Sequence, residues 1–374
     1  MGRITIILLA VIMLSCNSDD ENKVIQENFG VAPDGSPVFL YTMKNSNGMT
    51  VKLTNYGATL VSIVTPDKDG NFADIIAGFD SLSGYVNDNS FIGVTVGRYA
   101  NRIGKGKFKI DDREYQLTIN DGNNHLHGGV KGFHKLVWDS EIVTDDTSSY
   151  VVMKLHSPDG YEGYPGNVDV KVKFSLNDNN DLIIEYAGTT DKPTILNLTN
   201  HAYYNLSGNF ENTILDHILT INADNFTPID SELIPTGEIA SVENTPMDFR
   251  KPTAVGARIN EDYIQLKYGK GYDHNWALNE YDGNVRKAVT LSDPKSGRVL
   301  EIFTDQPGMQ FYSGNFLNGT ITGKGGIKYN YRTALCLEPQ FFPDSPNKDN
   351  FDSPLLKPGE IYRQTTVYRF GIMK

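Results

Sequence analysis

Val168-Asp169-Val170-Lys171-Val172-Lys173-Phe174 alternates apolar and polar residues without interruption. A period of two places the apolar side chains on one face and the polar ones on the other, which is the pattern of a half-buried strand. Runs of the same kind recur at Met49–Leu53, Tyr150–Leu155, Leu182–Tyr186 and Thr365–Phe370. The turn pairs Asn47-Gly48, Asp69-Gly70 and Asp282-Gly283 punctuate the chain between such runs. Helical patterning is scarce, and Leu82–Tyr85 predicts one short turn at most. No linker long enough to split the chain follows the N-terminal region, and no short-period repeat is present. These features predict an all-β domain over residues 28–374, a large antiparallel sandwich and not a βαβ fold.

The composition agrees with a sheet-rich globular protein. The chain has 374 residues with 39% hydrophobic and 21% charged content, enough apolar material for a sizeable core. The 35 glycines and 20 tyrosines favour turns and strands. A net charge of −12 argues against nucleic acid or an anionic membrane surface as a partner and leaves neutral small molecules open.

The N-terminus reads as a targeting segment. Arg3 precedes the apolar stretch Ile4–Leu14, which is too short for a comfortable membrane span. The sequence Met13-Leu14-Ser15-Cys16 resembles a bacterial lipoprotein signal, with Cys16 as the lipidated residue. Residues 1–16 are therefore expected to be the signal peptide and 17–27 an acidic, flexible tether. The protein is expected to be exported and to meet a membrane through this anchor alone. A secretory signal cleaved nearby is the alternative. With Cys16 lipidated, Cys336 has no disulfide partner and reads as a small buried hydrophobe.

Five segments gather polar chemistry. Gly97-Arg98-Tyr99-Ala100-Asn101-Arg102-Ile103-Gly104 offers two arginines four positions apart and an asparagine, as hydroxyl donors or as a structural turn. In Asn123-Asn124-His125-Leu126-His127-Gly128-Gly129 the two histidines would share a face on a strand, a pattern also seen among metal ligands, with His201 or Glu338 as a third. The paired glycines allow a sharp turn or a close ligand. Asn197-Leu198-Thr199-Asn200-His201-Ala202-Tyr203-Tyr204-Asn205 sets one histidine among amides and tyrosines. Gly271-Tyr272-Asp273-His274-Asn275-Trp276 combines a carboxylate with aromatic rings that could cover the C–H face of a sugar. Leu335-Cys336-Leu337-Glu338-Pro339-Gln340 embeds a carboxylate in an apolar run, where desolvation raises its pKa and suits it to act as a base. Gly323-Lys324-Gly325-Gly326 lacks a phosphate-loop frame, Asp67–Asn71 misses the later ligands of a calcium loop, and no G-x-S-x-G elbow occurs.

Taken in order, these segments resemble the aldose 1-epimerase (galactose mutarotase) family. Thr65–Gly70, Gly93–Arg98, Asp305–Asn315 and Leu356–Glu360 also resemble its signatures, over about Asn28 to Phe370. The resemblance implies a large antiparallel β-sandwich and interconversion of the α and β anomers of free aldoses, with no cofactor and no metal. It puts the general base on Glu338, the general acid on His201 and a second histidine on His127, with His125 outside the family's requirement. It puts substrate binding on Arg102, Asn101, Asp273, Gln310 and Tyr203. The expected partner is a monosaccharide, and the expected state a monomer or weak dimer. Three rivals remain: a silent sugar-binding protein, a hexose-6-phosphate epimerase, and a metalloenzyme built on His125 and His127.

Overall fold

A computed structural model describes residues 24–145 and 148–373. The expected signal peptide and Cys16 lie outside the described residues. The first strand, Val24–Val31, pairs Val24 with Met43 and Glu27 with Leu40, so ordered sheet begins inside the stretch 17–27 expected as tether.

The fold is all-β and antiparallel, as the alternation predicts. A five-stranded meander runs Val24–Val31, Pro37–Lys44, Thr50–Thr54, Thr59–Pro66 and Phe72–Asp74. A nine-stranded sheet carries Asp139–Thr144, Ser149–Ser157, Val168–Leu176 and Asp181–Thr190 in sequence, then Tyr362–Ile372 and Arg298–Thr304. Strand Tyr362–Ile372 thus brings the end of the described chain to the middle of the sheet. The third large sheet has six strands in the order Tyr203–Tyr204, Leu335–Gln340, Gly308–Tyr312, Asp273–Ala277, Asn225–Thr227 and Ala240–Ser241. One continuous core joins the nine-stranded and six-stranded sheets, with Val151, Val172, Phe174 and Ile184 from the first and Trp276, Phe311 and Leu337 from the second.

Val168–Leu176 shows why the alternation decides the fold. Val168, Val170, Val172, Phe174 and Leu176 are buried while Asp169 and Lys171 face water. Each such apolar side chain contributes roughly 1.5–3 kcal/mol by leaving solvent. A slip of one residue would reverse the two faces. Gly48, Gly70 and Gly283 occupy left-handed backbone at the predicted turns. Leu82–Asn87 is a six-residue helix, slightly longer than the single turn expected, and a second short helix, Ile264–Gly269, escaped the sequence reading because it carries no extended apolar period.

The two arginines of the first polar segment separate in the fold. Arg98 is a structural residue buried beside Tyr164. Its guanidinium donates to Ser157 Oγ at 2.9 Å and to the carbonyls of Ser157, Pro158 and Pro165 at 2.7, 2.8 and 2.9 Å. Burial lowers its pKa to about 10, which leaves it charged at neutral pH. A lysine cannot serve these acceptors with the same planar fork. Arg98→Lys is therefore expected to cost about 2–4 kcal/mol of stability, read from urea unfolding.

Candidate functional site

The six-stranded sheet has two chemically different faces. On Asp273–Ala277, His274 and Trp276 point one way and Asp273 and Asn275 the other. The register sets Asp273 opposite Tyr312 and Asn275 opposite Gln310, then Tyr312 opposite Cys336 and Gln310 opposite Glu338. Asp273, Gln310 and Glu338 therefore share a face, and that face floors a cavity of about 460 Å³. Its wall includes Asn101, Arg102, His127, His201, Tyr203 and Phe91. The volume falls in the range of roughly 300–1,000 Å³ usual for small-molecule sites. Seven of the eight residues expected at the site line this space, and the eighth, Gln310, reaches it through Asp273.

His201 stands between two two-residue strands, Thr199–Asn200 and Tyr203–Tyr204. Its main chain is clamped by Gly93 and Val94, with His201 N–H donating to the Val94 carbonyl at 2.9 Å. Its Nε2 lies 3.6 Å from Glu338 Oε1. Its Nδ1 lies 3.5 Å from Cys336 Sγ. Burial, Glu338 and Asp273 hold that thiol protonated, and its Sγ can accept from Nδ1–H, which leaves Nε2, facing Glu338, as the nitrogen that gains and loses the proton. Tyr203 stacks on the ring with centroids 5.1 Å apart and donates its hydroxyl to the Ser90 carbonyl at 2.8 Å.

Burial pushes the Glu338 carboxyl well above its usual range; Asp273 adds to this and Arg102 opposes it. Burial lowers His201 to about 4. Between pH values where both or neither group is protonated, the pair holds one proton, with burial favouring Glu338 as its seat. Asp273 is also raised by burial, against Arg102 and a 2.7 Å hydrogen bond from Gln310 Nε2. Arg102 bonds Asp121 through Nε at 2.9 Å and lies 3.8 Å from Asp273 through Nη1.

His127 differs from both other site groups. The Asn101 N–H donates to its Nδ1 at 3.1 Å, so the neutral ring carries its proton on Nε2. Burial lowers its pKa well below 6.5, with His201 and Arg102 adding to the effect. The ring is consequently a fixed neutral donor. The strand ends at Leu126, and His127 has a φ of 50°, so His125 and His127 do not share a face as a continuous strand would require. His125 instead joins the Thr118 carbonyl and the Tyr164 hydroxyl, each at 2.6 Å. The H-x-H metal reading fails on this geometry. Gly128 serves close packing: a Cβ there would stand 1.8 Å from the Gly97 carbonyl oxygen.

One further expectation is corrected. Tyr272 and Trp276 do not cover a ligand; both are fully buried on the opposite face, donating to the carbonyls of Pro246 and Met247. The aromatic wall comes from Phe91, Tyr203, Tyr312 and Phe316. The amides around His201 serve the backbone. Asn197 bonds Ala100 and Phe341, Asn200 bonds Gly93, and Asn205 bonds Asn209, Asn212 and Thr333. Phe91 and Asp121 were not singled out from sequence. Phe91 sits at a φ of 59° on a loop with no strand pattern, and Asp121 looks like an ordinary turn residue.

Residues 40–369 match the family model described as Aldose 1-epimerase. The chain is 43% identical over 344 residues to a galactose mutarotase of Bos taurus, covering 92% of this chain and 97% of that one. It is 37% identical over 349 residues to an aldose 1-epimerase of Escherichia coli (strain K12), covering 93% and 99%. The crystal structure of a galactose 1-epimerase from Lactobacillus acidophilus NCFM superposes with a TM-score of 0.83 at 31% identity, covering 95% of this chain and 100% of that one. The chain belongs to the aldose 1-epimerase family.

His127, His201 and Glu338 bring potential ligand atoms within 4.8 Å of one another. The set does not suit a metal, because His127 would have to give up the Nε2 proton that its bond from Asn101 fixes there. Calorimetric titration with Zn²⁺ is expected to show no stoichiometric binding that Glu338→Gln removes.

Proposed function

We propose that this protein is an aldose 1-epimerase that interconverts the α and β anomers of free aldoses such as galactose and glucose. The observation that carries this reading is the facing pair of buried proton-transfer groups, His201 Nε2 and Glu338 Oε1, 3.6 Å apart at the floor of a sugar-sized cavity. Family membership and the similarity to galactose mutarotases support it.

In this reading the Glu338 carboxylate takes the proton of the C1 hydroxyl as the C1–O5 bond breaks. His201 delivers its Nε2 proton to O5, and the open-chain aldehyde results. Rotation about C1–C2 presents the other carbonyl face. O5 then attacks C1, returns its proton to His201, and the carbonyl oxygen recovers a proton from Glu338. Both groups end as they began, so no cofactor is consumed. The reaction uses the singly protonated pair with the proton on His201, whose Nε2 lies 3.6 Å from the Glu338 oxygen that burial favours as its seat. The neutral His127 donor would steady charge on the reacting oxygens without itself titrating. Arg102, Asn101, Asp273 and Gln310 would hold the remaining hydroxyls, and Tyr203 would pack the acid in place.

A silent sugar-binding protein has no use for the buried pair, whose desolvation is costly. A hexose-6-phosphate epimerase needs a cation for the phosphate. Arg102 is the lysine or arginine among the lining residues, and Asp121 and Asp273 already flank it.

Polarimetry of freshly dissolved α-D-galactose and α-D-glucose tests the reading. The protein should accelerate mutarotation, and Glu338→Gln and His201→Asn should each lose about 10²–10⁴-fold in kcat. The rate should be bell-shaped in pH. It falls on the acid side as the pair gains a second proton and on the alkaline side as it loses the shared one. Near-normal kcat in either variant would sink the assignment.

For the N-terminus, we read residues 1–16 as a lipoprotein signal, Cys16 as the lipidated residue and the following acidic stretch as a tether of an exported protein. Support comes from the apolar run ending in Leu14-Ser15-Cys16. Radiolabelled palmitate should enter the full-length chain expressed in a bacterial host and should be lost in Cys16→Ala; equal labelling of both would refute this.

A further inference from the structure

Two loops that the ring-opening reaction does not use meet at the cavity, residues 121–124 and 231–233. The Asn123 side-chain amide donates to Glu232 Oε1 at 2.7 Å, joining residues 109 positions apart. Asp230 shapes the second loop, since its Oδ1 accepts the N–H groups of Glu232 and Ile234 at 2.8 and 3.1 Å. Leu233, at a φ of 64°, turns the chain there. Glu232 is thereby held in the lining on its solvent-exposed side. No lysine or arginine pairs with it among the described residues. Arg102, the lysine or arginine of the lining, bonds Asp121 and lies 3.8 Å from Asp273. The His201–Glu338 pair is neutral as a unit while it holds its single proton. Asp121 and Glu232 therefore stand against one guanidinium, and the cavity is negative even with Asp273 protonated. Leu126, Leu233, Phe316 and Leu317 supply apolar wall beside them. A cleft with charge of one sign and walls of low dielectric focuses its field on whatever enters.

We propose that Glu232 is a specificity residue that sets the preference of this site for neutral aldoses over anionic ones, the uronates and aldose phosphates. The inference rests on the mutarotase reading of the site and adds to it the chemical class of sugar admitted. Glu232 stands apart from the other acidic groups of the lining. Asp121 and Asp273 have Arg102 beside them, and Glu338 shares a proton with His201. The charge of Glu232 is the one that nothing nearby offsets. A neutral aldose meets it only as a hydrogen-bond acceptor. An anionic aldose is repelled, and it carries its own charge unchanged from the bound state to the transition state. The repulsion is then equal in both states and appears in KM and not in kcat.

Galactose and galacturonate make a matched pair, because they differ only in the group carried by C5, neutral in one and a carboxylate in the other. Polarimetry gives kcat and KM for each with the parent, Glu232→Gln and Glu232→Lys. Glutamine keeps an oxygen for the Asn123 amide and removes only the charge. The galactose-to-galacturonate ratio of kcat/KM should fall about fivefold in Glu232→Gln and about 25-fold in Glu232→Lys, through the KM of galacturonate. Where turnover of galacturonate is too slow to follow, its Ki against galactose gives the same comparison. Raising salt from about 0.02 M to about 0.5 M should lower the ratio more in the parent than in Glu232→Gln. Glu211→Gln removes an equal charge from an exposed position outside the lining and should leave the ratio at the parent's value. A ratio that ignores both Glu232 variants, or that follows Glu211→Gln as strongly, would overturn the proposal. A change carried by kcat alone would overturn it too. A parent that accelerates no aldose would instead remove the mutarotase reading itself, so the two failures are distinguishable.

Discussion

The constraint on which the site depends is the burial of an ionisable carboxyl on the face of a sheet. Glu338 is 1% exposed, on a strand whose every residue is buried. In such surroundings neighbouring charges act over longer range and with less screening than at the surface. The carboxyl cannot take or release a proton independently of what stands around it. His201, equally buried, meets the opposite penalty, since burial disfavours its cation. Two groups that each resist ionisation alone can ionise together, because the imidazolium and the carboxylate stabilise each other. The closeness of the pair thus turns two desolvation penalties into one mobile proton.

The rest of the pocket keeps that proton between those two groups. His127 is held in a single tautomer by a backbone N–H, so it donates a hydrogen bond and does not compete as a base. Arg102 supplies positive charge, but its bonds to Asp121 and Asp273 limit how far it favours the carboxylate over the protonated acid. A freer arginine would depress Glu338 until it became a weak base. Its absence would leave four acidic side chains, Asp121, Glu232, Asp273 and Glu338, around one cavity. The ion pairs tune the basicity of Glu338 by holding the arginine at a set distance.

Much of this was legible in the sequence, for a physical reason. Strand alternation is a local property, so Val168–Phe174 and Thr365–Phe370 read as strands before any neighbour is known, inside the observed strands Val168–Leu176 and Tyr362–Ile372. Glu338 is legible because a carboxylate in an apolar run has few innocent explanations. What failed was the use of neighbouring residue type as a guide to face. Tyr272 and Trp276 flank Asp273 in sequence, yet period two sends them into the core. The asparagines around His201 look like a polar setting for a functional histidine, yet their side-chain N–H groups go to main-chain carbonyls that short, interrupted strands leave unpaired. Residue type says that a polar side chain needs a partner; it does not say whether that partner is ligand or backbone. Arg98 and Arg102 make the same point, since the first meets a hydroxyl and main-chain carbonyls and the second meets carboxylates.

The cavity rim shows why periodic reasoning stops there. Phe91, Asn101 and His127 have φ values of 59°, 68° and 50°, in the left-handed region that side chains with a Cβ seldom adopt. All three line the pocket. A regular strand offers a side chain to a given face every second residue, at nearly fixed direction. Converging a histidine, an aromatic ring and a donor-bearing loop on one small volume requires directions that no strand supplies. The left-handed residues provide them, at a conformational cost that their packing must offset. The His127 backbone N–H donates to the Asn101 carbonyl at 3.2 Å while its ring accepts the Asn101 N–H, so two strained residues brace each other. Phe91 packs against the rings of His127 and His134, with centroids 4.6 and 4.7 Å away. The sheets place the carboxylates by regularity, and the loops place the neutral donor by departing from it. The chemistry sits where those two kinds of order meet.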